Sequence, residues 1–319
     1  VYVASEPDGS ALWFPVNDHP LDKATYTFQI TVPDKYVVAA NGQLKNVDDH
    51  DDPTTTYIWE ASDEMASYLA TVNIGDFVAE TAEGPDGLPI RHYFPADKVD
   101  DLKLTFAPFA DMIAFYNTLI GPYPFEAAGA VVADTDLSFA LETQTMILFG
   151  SSIGTRSTEA EIVIAHELVH QWFGNSVSLA QWKDIWLNEG FATYVSMLWL
   201  EHARGQRAML RQMDDYYTII TRQPTGFSAP GNPPQDNLFN GGVYLRGAWT
   251  LHALRLLVGD KTFSDILQTY YDRFKYSNAA TNDFINVATE ISGQDLKDFF
   301  ESWLFAEKVP PKPKQEFKP

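Results

Sequence analysis

The chain has 319 residues, 45% of them apolar, with no cysteine and a formal net charge of −21. The missing cysteines exclude disulfides, thiolate metal sites and a cysteine nucleophile, so any metal must be held by His, Asp or Glu. The acidic balance argues against a nucleic-acid partner, which needs a basic surface, and no run of eighteen apolar residues marks a membrane span.

From Val1 the sequence reads as mid-domain. "ALWFPVNDHP" looks like the end of a strand and a turn, so a truncated or processed chain is expected, and the lack of a leader carries no information. "ATYTFQITVP" alternates Tyr26, Phe28, Ile30 and Val32 at period two and stops at Pro33, which predicts a half-buried strand. Asn41-Gly42 in "YVVAANGQL" predicts a hairpin turn. "TTTYIWEAS" and "MASYLATVNIGDF" continue in the same style, giving an antiparallel β module over 1–82. The turn cluster "AEGPDGLP", Ala82–Pro89, is the expected boundary to a second domain spanning 83–310.

That second domain opens with a strand, "IRHYFP". A helix is expected over 98–119, where Leu102, Leu104, Phe106, Phe109, Met112, Ile113 and Tyr116 share one broad face. Two or three strands are expected in the Gly-containing stretch 127–150. From Ser157 the texture becomes helical, with helices predicted over 158–173, 185–204, 207–222, 242–258, 261–275, 281–291 and 294–304. Ser157 or Thr158 with Glu161 resembles a capping box. The long Gly/Pro loop over 225–242 has a length often associated with function. The tail, 311–319, reads as extended. The fold class expected from this order is α+β.

The stretch "HELVHQWFGN" lies inside a predicted helix. A helix turns by roughly 100° per residue, so His166 and His170 fall roughly 40° apart on one face, one turn from each other. A lone helical histidine is ordinarily structural, but two imidazoles so placed can converge on one ion. Glu167 lies roughly 100° from His166 and flanks the ion, which suits a base acting on a water held there. A catalytic zinc needs a third protein ligand, and Glu189, one turn into the next predicted helix, is the natural candidate.

"HELVHQWFGN" followed by "WLNEGFATY" resembles the aminopeptidase N family of zinc metallopeptidases, which also contains leukotriene-hydrolase enzymes. In that family H-E-x-x-H is followed by eighteen residues and a glutamate, and the same interval separates His170 from Glu189 here. "WFPVNDHPLDKATYTFQITVP" looks like the last part of the family's N-terminal β-domain, "GGVYLRGAWTLHALR" like its tyrosine segment, and "FALETQT" stands where the family has G-x-M-E-N. The resemblance runs from about Leu12 to Pro310. It implies a partial antiparallel β-domain followed by a thermolysin-like peptidase domain with a small β-sheet lobe and a helical lobe. It implies one zinc ion on His166, His170 and Glu189, Glu167 as base, and Tyr244 as oxyanion stabiliser. It further implies that Glu142 binds the substrate α-ammonium, and that Ala140 and Leu141 pair with the substrate backbone. Two departures stand out. Phe139, Leu141 and Thr143 replace the motif's Gly, Met and Asn, and Leu245-Arg246 replaces Glu-Lys after the tyrosine.

The function implied is a zinc aminopeptidase acting on peptides with a free N-terminal amine, which the acidic field also favours. A zinc endopeptidase and a non-catalytic binding module or inactive fragment are the alternatives. Asp184 and Glu201 are candidates to orient the imidazoles as hydrogen-bond acceptors. The aromatic residues Trp172, Phe173, Trp182, Trp186 and Trp199 are expected in the core. The sequence leaves the compartment open.

Overall fold

The computed structural model describes residues 1–154, 156–222 and 227–314. It divides into two compact units, Val1–Ala114 with Tyr123–Gln171, and Phe115–Pro122 with Trp172–Pro319.

The first unit begins as the expected β module. Strands β1 (Ala24–Pro33), β2 (Val37–Ala40), β3 (Gln43–Asp49), β4 (Thr54–Met65) and β5 (Val72–Gly75) make two antiparallel sheets, ordered β1-β4-β3 and β2-β5. The alternation in β1 holds: Tyr26, Phe28 and Ile30 are half-buried and Val32 is buried, while their neighbours face solvent. Asn41-Gly42, however, is not a hairpin turn. β2 leaves it to pair with β5, and β3 leaves it to pair with β4. Gly42 sits at φ +80°, where a Cβ would lie 2.0 Å from the Glu60 carbonyl oxygen. The dipeptide is therefore a corner at which the chain changes sheets, a second use of the backbone freedom that favours Asn-Gly in hairpins.

Strands β6 (Phe77–Glu83), β7 (Pro89–Pro95), β8 (Ala128–Val132), β9 (Ala140–Leu141) and β10 (Ile147–Phe149) form a mixed sheet ordered β6-β7-β8-β10-β9. β6 and β7 pair antiparallel across the Ala82–Pro89 turn, so that turn joins neighbours within one sheet and the compact units divide elsewhere. The stretch expected to be one helix is two, α1 (Val99–Phe106) and α2 (Phe109–Leu119). Pro108 lies in the break; it has no N–H to donate to a carbonyl in the preceding turn, so the bond ladder is interrupted there although Ala107 keeps helical dihedrals of φ −52° and ψ −36°. Helix α3 (Thr158–Val169) starts at Ser157, whose Oγ accepts from the Ala160 N–H at 3.1 Å. Because Ser157 is the cap, Glu161 falls one position too late to complete a capping box.

The second unit contains the end of α2, the helices α4 (Trp186–Arg204), α5 (Gln206–Arg222), α6 (Gly247–Val258), α7 (Asp260–Phe274), α8 (Thr281–Ser292) and α9 (Lys297–Phe300), and a parallel pair, β11 (Val177–Leu179) with β12 (Ser277–Ala279). The pair was not expected; each strand has three residues, and the partners are 100 positions apart. Every residue of α4 from Trp186 to Leu200 is buried, as befits a helix apolar around its circumference. Phe191 packs against Phe173, Trp186, Tyr270 and Phe284, with ring centroids 4.9–5.6 Å apart. Trp172, Phe173, Trp186 and Trp199 are buried as expected, while Trp182 is half-buried. The predicted helix over 242–258 divides into a five-residue π-type turn, Gly242–Arg246, and α6, and that over 294–304 into α9 and a second π-type turn, Glu301–Phe305. Residues 311–314 have no regular structure, and 315–319 of the expected tail lie outside the described residues, as do 225 and 226 of the long loop. No helix among the described residues is long and apolar enough to cross a membrane.

Candidate active site

Five of the seven histidines are occupied elsewhere. His19 Nδ1 accepts from the Leu21 N–H, His50 meets the Thr56 hydroxyl, and His92 stacks on Phe94. His202 packs against Phe115 and Trp199, and His252 meets the Tyr194 hydroxyl at 3.0 Å, burial pulling its pKa down to about 3. His166 and His170 instead face each other across one turn, their Nε2 atoms 3.1 Å apart and their rings edge-on. His170 is the residue that caps α3, so the helix ends at Val169 and not at 173, yet its N–H still donates to the His166 carbonyl. Two nitrogens at that separation, each at the usual zinc–nitrogen length of about 2.0–2.1 Å, would subtend about 100° at one ion, close to tetrahedral. The imidazole pair therefore fits zinc.

Carboxylates gather at the same place. Oxygens of Glu142 and Glu167 and a ring nitrogen of His170 all lie within 4.8 Å of one another, and all three residues are buried. Glu142 follows β9, the edge strand of the mixed sheet, which pairs with β10 through Leu141↔Leu148 and Ala140↔Phe149. Its other edge offers backbone groups that an extended peptide can extend. Ala140 is half-buried and Leu141 buried, while Phe139, in place of the motif glycine, is 51% exposed.

Two residues that sequence reasoning passed over fix this segment. Gln171 Nε2 donates to the Glu142 carbonyl and its Oε1 accepts from the Thr145 N–H, both at 3.0 Å, tying the segment to the end of α3. Asn41 Nδ2 donates to the Gln144 and Leu69 carbonyls at 2.7 and 2.9 Å, and its Oδ1 accepts from the Thr71 N–H. The Gly42 N–H donates to Thr145 Oγ1. The corner between sheets thus braces the loop beyond Glu142, where Thr145 holds a left-handed φ of +64°. Such backbone strain persists only where surroundings over-determine it. Glu6 was also missed: a carboxylate oxygen of this half-buried residue lies within 4.8 Å of one from Glu142. Nothing local distinguishes it among 43 acidic residues.

In the second unit, Glu189 is buried in the first turn of α4, beside the buried Asn188. Tyr244 is half-buried at the centre of the Gly242–Arg246 turn. Asp184 and Glu201 have other employment. Asp184 Oδ1 accepts from the Thr281 N–H and hydroxyl at the start of α8, and Glu201 takes the Arg255 guanidinium at 2.6 and 3.4 Å.

The sequence model of the peptidase family M1 domain matches residues 110–303, and that of the peptidase M1 N-terminal domain matches residues 3–69. The chain belongs to peptidase family M1. Glutamyl aminopeptidase of Sus scrofa is 28% identical to this M1 chain over 319 residues, 93% of the chain and 34% of that protein. Aminopeptidase M1-B of Oryza sativa subsp. japonica is 28% identical over 313 residues, 91% of the chain and 35% of that protein. The chain spans about a third of the length of these curated relatives. Among solved structures, a mutant M1 zinc metallopeptidase of Deinococcus radiodurans bound to the substrate Tyr-Ser-Ala superimposes with a TM-score of 0.89 at 30% identity, covering 98% of this chain and 71% of that one. The unmutated enzyme of that organism gives 0.89 at 29% identity. The α+β expectation is the fold this M1 chain adopts.

Proposed function

We propose that the chain is a zinc-dependent aminopeptidase that removes N-terminal residues from peptides, holding one zinc ion on His166, His170 and Glu189. The observation that carries this is the 3.1 Å approach of the two Nε2 atoms with the carboxylates of Glu167 and Glu142 gathered at His170. The burial of Glu189 in the first turn of α4, with eighteen residues between it and His170, supports it as third ligand. Zinc in such a site lowers the pKa of a bound water toward about 7 and polarises the scissile carbonyl.

The chain's own groups supply the rest. Glu167 takes the proton of the attacking water and returns it to the leaving amine, a role that demands a carboxylate at hydrogen-bond reach. The Tyr244 hydroxyl donates to the oxyanion as the carbonyl becomes tetrahedral. Glu142 accepts from the substrate α-ammonium, with Glu6 as a second carboxylate close enough to share the charge. The free edge of β9 at Ala140 and Leu141 receives the substrate backbone as an added strand. Fixing the amine at one distance from the ion restricts cleavage to the first peptide bond.

A panel of fluorogenic amino-acid amides and their N-acetylated counterparts, assayed with and without chelator, tests this reading. Turnover of the free amines alone, lost on chelation, is expected. Equal turnover of blocked substrates would make the chain an endopeptidase, and no turnover by a zinc-loaded chain would leave the binding-module alternative.

A further inference from the structure

We infer that Arg246 is a positioning residue for Tyr244, holding the turn that carries the phenol by clamping it to the segment Ser302–Lys308. The inference rests on the role proposed for Tyr244. Both residues lie in the π-type turn Gly242–Arg246, whose wide bond runs from the Gly247 N–H to the Gly242 carbonyl. Turns of this kind are rare and recur at functional sites, and they need outside support.

That support comes from the guanidinium. Arg246 Nε donates to the Trp303 carbonyl at 2.9 Å, and Nη2 to those of Ser302 at 3.0 Å and Ala306 at 2.6 Å. Longer bonds of 3.4 Å run from Nη1 to Glu307 and from Nη2 to Lys308. Among the described residues no carboxylate pairs with Arg246; its charge is met by the Ser302 and Trp303 carbonyls of the last helical turn, where the helix dipole is negative, and by the carbonyls of Ala306, Glu307 and Lys308 in the extended stretch after it. Beside it lies a cavity of about 460 Å³, lined by Phe227 and Gly242 on the side of the turn and by Glu307 and Val309 on the side of the segment. Arg246 lines the same cavity and spans from one side to the other. The Trp249–Trp303 stack at 6.2 Å ties the same segment to α6, one turn beyond Arg246. Lysine, which the resembling family has here, offers one nitrogen and cannot serve carbonyls at 302, 303 and 306 in a planar fork.

The test compares the zinc-loaded wild type with Arg246→Gln, Arg246→Lys, Tyr244→Phe and the Tyr244→Phe/Arg246→Gln double variant. It measures kcat and KM on an amino-acid amide, zinc content, and hydrogen exchange over 240–247. Arg246→Gln is expected to lower kcat about tenfold while KM and zinc stay within about twofold, because the interaction lost acts in the transition state. Exchange over 240–247 should quicken, Arg246→Lys should fall between, and the double variant should lose no more than Tyr244→Phe, since coupled residues are non-additive. A kcat loss that adds in full to that of Tyr244→Phe, or an unchanged kcat, overturns the inference. If Arg246→Gln does not fold, Arg246→Lys carries the same comparison. If Tyr244→Phe itself leaves kcat unchanged, it is the catalytic reading that fails. Exchange over 240–247 then decides alone: faster in Arg246→Gln supports the clamp, and unchanged overturns it.

Discussion

Gly190 and Gly247 meet backbone to backbone. A methyl group on Gly190 would stand 2.9 Å from Gly247 Cα and 3.1 Å from its carbonyl carbon. One glycine follows Glu189 and the other lies three residues beyond Tyr244, so this crossing of α4 and α6 sets a proposed metal ligand and the proposed oxyanion donor in one frame. Alanine in a helix interior normally gains roughly 0.5–1 kcal/mol over glycine. Here the overpacking cost of roughly 1–3 kcal/mol should win, because backbone cannot move aside as a flexible side chain can. Gly190→Ala is therefore expected to lower the thermal midpoint. A raised midpoint would show slack between the helices.

Glu167→Gln should keep one zinc per chain and lose turnover by roughly 10²–10⁴-fold, the usual contribution of a positioned general base. Metal analysis and kinetics on the same sample check it. Loss of the zinc along with activity would make Glu167 a ligand, and retained activity would remove it as base.

Glu126 gives a pH dependence of stability. Burial, reinforced by a hydrogen bond with Asp63, raises its carboxyl from 4.5 to about 7. Between those values the folded chain binds a proton that the unfolded chain has released, so folding is favoured on the acid side and stability falls as pH rises from about 4.5 to about 7. Relative to wild type, Glu126→Gln should become more stable across that interval and level off above it. Denaturant midpoints measured from pH 4 to 8 test this, and parallel curves for the two proteins would refute it.

Much of this molecule could be read from its residues, because the readable parts are governed locally. The helices follow the 3.6-residue period and their caps, and the His166–His170 relation follows from helix geometry alone. What escaped depends on partners remote in sequence. Asn41-Gly42 has hairpin chemistry, but the corner it makes is set by Leu69, Thr71, Gln144 and Thr145. The β11–β12 pair joins three-residue strands across 100 positions. Glu6 meets Glu142 from 136 residues away, and Asp184 and Glu201 are claimed by Thr281 and Arg255, which no local pattern reveals. The break at Pro108 was the exception, a local signal outweighed by an apolar face that continues across it.

The zinc site itself is tested most directly by anomalous scattering at the zinc edge from crystals of the metal-loaded chain. A single peak is predicted, about 2.0–2.1 Å from Nε2 of His166 and of His170 and about 2.0–2.2 Å from a Glu189 carboxylate oxygen. A peak elsewhere, such as between Glu142 and Glu167, or none from a sample shown to carry zinc in stoichiometric amount, would contradict the account.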